Sequence, residues 1–281
     1  MAIIDLDRAT RGPVAVDARK PILALHAAAS SGEQWRGLSD YLRGRYRVIA
    51  PDLPGYGSAR LLQSRSPRET AGQLAQAIAD DGPLHVVGHS LGAAIGLELA
   101  ASHPHLVRSL TLIEPMLFHL LRGGDASDRA LHAELVRLAD RMLMSVAAND
   151  NAVGMQAYID FWYGAGAWRR TGDSLKQSLA RLTSRVASDL TASLAATGGA
   201  SAYRELRCPA LLVTGLRSPV ASLRASEMAA EAIPHARLMM IADAGHMAPL
   251  TDPHIIDPLI GRHLSSVETF GSSRPFLYRA A

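Results

Sequence analysis

Residues 21–26, 46–50, 84–87, 107–113, 210–214 and 236–241 are short apolar runs of strand length, each bounded by turn-forming residues. Stretches of helical periodicity lie between them. Over 33–43, Trp35, Leu38 and Leu42 are spaced to share one face. Over 66–80, Ser66 stands as the cap and Pro67 in the first turn. The run 91–101 is apolar apart from Glu98, which predicts a helix buried almost all round. Further helices are predicted over 223–232 and 253–264. Strands alternating with helices predict an α/β fold with a mostly parallel sheet, helices covering both faces. The alternation fails from 116 to 206, where the pattern reads as helices and loops only. The expected organisation is therefore a core made of 1–115 and 207–281, with 116–206 inserted as a helical cap. Residues 13–17 form a candidate edge strand, and 265–281 carry no clear pattern.

Composition adds a few exclusions. A chain of 281 residues, 48% hydrophobic and 20% charged, is long enough to bury a large core without cross-links. Its net charge of +3 is scattered, with no lysine or arginine run, so nucleic-acid binding is not indicated. Lys20 and Lys176 are the only lysines, an arginine bias that reads as genome composition of a bacterium. Cys208 is the one cysteine, which rules out an internal disulfide and a cysteine-based metal cluster. The N-terminus lacks a signal-peptide core and no stretch has the length of a membrane span, so the expectation is a cytoplasmic protein with no membrane partner. No phosphate-loop, dinucleotide or zinc-protease motif is present, and the expected cofactor and metal content is none. The oligomeric state is left open, a homo-oligomer included.

The candidate chemistry centres on Gly88-His89-Ser90-Leu91-Gly92, a G-x-S-x-G match between a buried strand and a buried helix. A strand that turns into a helix through one serine forces that serine into a strained backbone conformation. Its neighbours must then lack side chains. The turn lifts the Ser90 hydroxyl to a helix N-terminus, where free N–H groups favour an anion. A serine hydroxyl is a weak nucleophile and needs a base, and the base needs an orienting acid. Of 11 histidines, His246 is the best placed, in the loop between the last strand and the last helix. His89 is beside the serine but directed away from its hydroxyl.

These residues resemble the α/β-hydrolase superfamily. The similarity runs from about 21 to about 264 and extends to the loop Asp52-Leu53-Pro54-Gly55-Tyr56-Gly57-Ser58. It implies a Ser–acid–His triad in that chain order, a late helical cap, Asp52 as a brace of its loop and His26 as a brace of the loop that follows it. It also implies first strands that are shortened or missing here. The acid is where the chain departs from the pattern. Ser218 stands at the usual acidic position, and no acid follows Gly215 until Glu227. Glu114, at the C-terminal end of the strand after the elbow helix, is the natural substitute, since open α/β sheets place their sites at that edge. Certain lactonase and dehalogenase branches resemble this chain in placing a glutamate there. Asp243 and Asp252 are the weaker alternatives.

An oxyanion hole needs two convergent N–H groups. By position they belong to Leu91 and to Ala28, with Ala27 standing where the family usually has glycine. Met116, Phe118, Trp162, Trp168 and Met247 are the candidate pocket wall, although the aromatic cluster at 161–168 reads equally as packing of the cap. The expected function is serine-dependent hydrolysis of a small or medium apolar carboxylic ester or lactone, that small molecule being the expected partner. C–C bond hydrolysis of a ring-cleavage product and a non-turnover receptor on the same fold remain alternatives.

Overall fold

The computed structural model describes residues 19–270; the candidate edge strand at 13–17 lies outside them. Six strands form one sheet: β1 Lys20–Leu25, β2 Tyr46–Ile49, β3 Leu84–His89, β4 Val107–Ile113, β5 Ala210–Gly215 and β6 Arg237–Ile241. Their spatial order is β2-β1-β3-β4-β5-β6, and every pairing is parallel. Strand order reverses between β1 and β3, the point at which open sheets of this kind bind ligands beyond their carboxyl ends. The register sets Leu25 opposite Gly88, His89 opposite Ile113, and Ile113 opposite Val213. Ser90, Glu114 and the loop after Gly215 therefore leave the sheet along one edge.

Alternation along each strand supplies two cores. Leu23, Leu25, Val86 and Leu112 face one side, packed with α2 (Pro67–Ala77), α3 (Leu91–Ser102) and α9 (Val220–Ala232). Ile22, Ala24, Val87 and Ile113 face the other, against Trp35, Leu38 and Leu42 at α1 (Arg36–Leu42) and against Ile256, Ile260 and Leu264. With both faces covered, nearly every residue of β3, β4 and β5 is buried, as in a doubly covered parallel sheet. α3 is buried from Leu91 to Leu97, and its one charged residue, Glu98, is half-buried. At the start of α2 the Ser66 hydroxyl accepts from Glu69 N, with Pro67 in the first turn.

Several helix boundaries differ from the sequence expectation: α9 starts at Val220 rather than at 223, and α2 ends at Ala77 rather than at 80. The first helix opens with a 3₁₀ turn, Gly32–Trp35, whose first N–H donates to Asp52 Oδ1 at 2.8 Å. The last helix continues past residue 264. After the short α10 (Ala248–Thr251), α11 runs over Pro253–Phe270. Val267 is buried on its inner side, and Glu268 pairs with Lys20 and accepts from His85 at 2.9 Å. Both partners are more than 180 residues distant, so no local pattern announces the extension.

Between β4 and β5 the described chain holds only helices: α4 Ala126–Ala147, α5 Asn151–Tyr163, α6 Ala167–Arg170, α7 Asp173–Ala180 and α8 Thr183–Ala195, with 3₁₀ turns at either end. Asp125 and Asp128 form a reciprocal capping box at the start of α4. A buried polar joint ties this insertion to the loop after β2. Arg185 donates to Asp189 at 2.6 and 3.0 Å and to the Ser64 carbonyl at 2.9 Å. Tyr56 donates its hydroxyl to the same carboxylate, and the guanidinium lies over the Tyr56 ring at 5.6 Å. None of the described helices is long and apolar enough to cross a membrane.

Candidate active site

Ser90 sits between β3 and α3 with φ 53° and ψ −111°, a conformation that a non-glycine residue adopts only when its surroundings enforce it. Those surroundings are specific. The Ser90 carbonyl accepts from Ala93 N, Ala94 N and Met116 N, each at 3.1 Å, and Ser90 N donates to Ile113 O at 2.9 Å. A Cβ on Gly88 would lie 2.5 Å from the Ala93 Cα, and one on Gly92 would lie 2.2 Å from the Leu25 carbonyl oxygen. The two glycines are therefore what lets strand, helix and the β1 loop meet at this point. The Ser90 hydroxyl is buried and makes no hydrogen bond among the described residues.

Glu114 follows β4 and also has a positive φ, 44°. That twist turns its side chain into a ring of donors. Oε2 accepts from His246 Nδ1 at 2.7 Å and from the Ser222 hydroxyl at 2.8 Å. Oε1 accepts from Gly215 N at 2.8 Å and from the Ser218 hydroxyl at 2.5 Å. Burial acts to raise the carboxyl pKa. The hydrogen bond and charge of His246 outweigh it, with help from Ser218 and Gly215, and hold the pKa down at about 2. The serine at the family's usual acidic position thus donates to Glu114. Ser222, in the first turn of α9, is a donor that the sequence did not disclose. Asp243 and Asp252 are directed elsewhere: Asp243 pairs with Arg217 at 2.6 Å in the open, and Asp252 accepts from the Thr251 hydroxyl at 2.6 Å.

With Nδ1 committed to Glu114, His246 presents Nε2 as its free nitrogen. The ring has an aromatic neighbour on two sides. Trp162, from α5, stacks on it with centroids 3.9 Å apart and planes 21° apart. His89 lies 4.9 Å away, tilted by 48°. His89 belongs to a link that the sequence did not disclose. Gln34 accepts from Ala27 N at 3.2 Å and reaches His89 Nδ1 at 3.1 Å, and His89 Nε2 donates to the His246 carbonyl at 2.8 Å. Burial, and secondarily the neighbouring His246, depress the His89 pKa to about 3, so the link is uncharged. It joins the loop after β1 to the loop after β6.

The N–H groups of Ala28, in the loop after β1, and of Leu91, at the start of α3, donate to no protein acceptor among the described residues. Asp52 braces the neighbouring loop, accepting from Gly32 N and from Ser58 N at 2.7 Å. His26 receives Leu53 N at 2.9 Å and donates to Ala27 O at 2.7 Å. Burial lowers its pKa from 6.5 to about 4. The folded state therefore holds His26 neutral where the unfolded chain protonates it. Its contribution to stability is complete above pH 6.5 and is lost as pH falls toward 4. His26→Asn should flatten urea-derived stability against pH across that window by one proton's slope, ~1.4 kcal/mol per pH unit.

The expected pocket residues separate into two groups. Trp162 and Met247 line a cleft of about 880 Å³ beside His246, together with Leu131, Phe161 and Val220. Met116 lines a second cavity of about 680 Å³ flanked by Ala94, Leu117 and Tyr203. Phe118 is buried and backs Trp162, ring to ring at 6.1 Å. Trp168 lines neither space, contrary to its assignment to the pocket wall. Gly164 and Gly166, at φ 86° and 78°, turn the chain ahead of α6, and Trp168 is buried with its N–H on Asp160 Oδ1 at 2.8 Å. Ser90 lines neither cavity.

Comparison with known proteins yields a consistent set of likenesses. Residues 20–253 match the family model described as alpha/beta hydrolase fold. The pimeloyl-[acyl-carrier protein] methyl ester esterase of Aromatoleum aromaticum is 30% identical over 84% of this chain and 94% of its own. The (E)-2-((N-methylformamido)methylene)succinate hydrolase of Acinetobacter baylyi is 22% identical over 85% of this chain and 88% of its own. Among solved structures, a thermophilic esterase from Thermogutta terrifontis superposes with a TM-score of 0.67 at 20% identity, covering 88% of this chain and 90% of that one.

Proposed function

Because the chain belongs to the alpha/beta hydrolase fold family, we propose that it is a serine hydrolase that cleaves a small or medium, largely apolar carboxylic ester or lactone through an acyl-enzyme on Ser90. The observation that carries this reading is one juxtaposition. A strained serine at a helix N-terminus shares a sheet edge with a histidine whose Nδ1 is held 2.7 Å from a buried, ionised glutamate.

Ser90 Oγ attacks the substrate carbonyl as its proton passes to His246 Nε2. Glu114 keeps the imidazole in the tautomer that leaves Nε2 unprotonated, and it offsets the positive charge that forms. The N–H groups of Leu91 and Ala28 receive the developing oxyanion; losing one such donor typically costs about 10²–10³ in rate. Collapse of the tetrahedral intermediate breaks the bond to the leaving oxygen, which takes the proton from His246. Water then repeats the sequence on the acyl-enzyme and frees Ser90. In a ligand-free enzyme the Ser–His hydrogen bond is commonly loose and forms with substrate, which accommodates the unpaired Ser90 hydroxyl. We take residues 116–206 as a cap whose aromatic side chains shape the cleft beside His246. The methyl ester in the name of the 30%-identical relative supports an ester substrate.

Turnover of chromogenic esters of increasing acyl length tests the reading. Wild-type protein should hydrolyse at least one member, and Ser90→Ala should reduce that rate to the uncatalysed background. Undiminished turnover by Ser90→Ala would refute it.

A further inference from the structure

The stack between Trp162 and His246 is closer and more nearly parallel than the insertion's other aromatic contacts. Phe161, Tyr158 and Phe118 lie 5.2, 6.0 and 6.1 Å from the Trp162 ring, two of them edge-on. They fix the indole, which is 5% exposed, so that its face meets the imidazole at 3.9 Å. An indole face attracts a cation, by up to ~2 kcal/mol once the pair is desolvated. In the reaction the His246 ring gains a positive charge as it takes the proton of Ser90 or of the attacking water. An interaction that strengthens only at that stage accelerates the chemical step rather than substrate binding.

We propose that Trp162 is a positioning residue of the reaction, the helical insertion supplying an aromatic face that orients His246 and stabilises its protonated ring. This rests on the serine hydrolase reading and adds to it: the insertion becomes part of the proton-transfer apparatus as well as a cover. The other groups facing His246 are accounted for. Glu114, from the end of β4, takes Nδ1, and His89, from the end of β3, is neutral. On the cleft side stand Arg217 and Asp243, paired with one another, together with Asp252, Glu134 and Asp160. Three of these acids are engaged, Asp243 by Arg217, Asp252 by the Thr251 hydroxyl and Asp160 by Trp168 N, and Glu134 stands as the fourth on the cleft wall. Trp162 is thus the group stacked on the face of the His246 ring.

Two substitutions separate this role from that of a pocket wall. Trp162→Phe keeps an aromatic face and should keep kcat within about threefold. Trp162→Leu keeps an apolar side chain without one and should lower kcat about 30-fold, the equivalent of ~2 kcal/mol, with KM for a small ester nearly unchanged. The acid limb of its kcat/KM profile should move to lower pH, and that of Trp162→Phe should not. A change in KM alone, or faster turnover by Trp162→Leu, would overturn the proposal.

A second measurement needs no substrate. A protonated imidazole quenches an indole stacked on it, so the emission of wild type minus Trp162→Phe should titrate with pH. The titration should persist in Ser90→Ala and vanish in His246→Gln. Emission that does not titrate, in a protein whose esterase activity still depends on Ser90, would sink the role of Trp162 and leave the serine hydrolase reading intact. A titrating emission in a protein whose turnover ignores Ser90 would refute the proposal through the reading it rests on.

Discussion

Glu114→Gln is expected to lower kcat by about 10⁴, the loss seen when the acid of a serine triad is replaced by its amide. The carboxylate receives four donors at 2.5–2.8 Å, from Ser218, Gly215, Ser222 and His246. An amide can accept through its oxygen alone. Its NH₂ group would face either His246 Nδ1–H or the serine hydroxyls, and in the first case the imidazole turns to the wrong tautomer. Asp243→Asn, at an exposed ion pair with Arg217, should leave kcat within about twofold. Because Ser218 already touches Glu114, a carboxylate placed there has a path to the same imidazole. Glu114→Ala combined with Ser218→Asp should therefore recover at least tenfold over Glu114→Ala alone. Steady-state kinetics on one chromogenic ester decides between these outcomes. A large loss in Asp243→Asn with none in Glu114→Gln would move the acid to the β6 loop.

The second large effect concerns the joint between insertion and core. Asp189→Ala should destabilise the protein by about 3–5 kcal/mol, because it leaves the Arg185 guanidinium and the Tyr56 hydroxyl buried without their shared acceptor. Burial acts to raise the Asp189 pKa even against that cation, which marks how little solvent compensation the joint has. Removing all three polar groups at once, by Tyr56→Phe, Arg185→Met and Asp189→Leu, should restore most of the loss, since an apolar replacement of a buried pair is often neutral or better. Urea unfolding of the single and triple variants measures both. An Asp189→Ala protein as stable as wild type would show that the joint contributes nothing net.

Local pattern made the parallel sheet legible, together with the strand–serine–helix turn and the helices between β4 and β5, because each rests on short-range signals. These are apolar runs of strand length, two glycines around one serine, and a long stretch without strands. The extension of α11 was not legible, since Glu268 is held by Lys20 and His85 from the other end of the chain. The absence of an acid at the family's usual position was readable as a gap at Ser218. The use of Ser218 and Ser222 as donors was not, because a hydroxyl's partner is set by tertiary contact. Gln34 and His89 illustrate the same limit: an amide between two loops leaves no periodic trace. The aromatic run 161–168 was visible as a cluster, but a reversal at Gly164 and Gly166 sends Trp162 to His246 and Trp168 into the insertion.

The central claim is that Ser90 becomes acylated with His246 as its base. Its most direct test is to react the intact protein with a fluorophosphonate and map the labelled peptide by mass spectrometry. The adduct should sit on Ser90, form rapidly in wild type, and form at least 10²-fold more slowly in His246→Ala. An adduct on another residue, or labelling of Ser90 at the same rate without His246, would contradict the account.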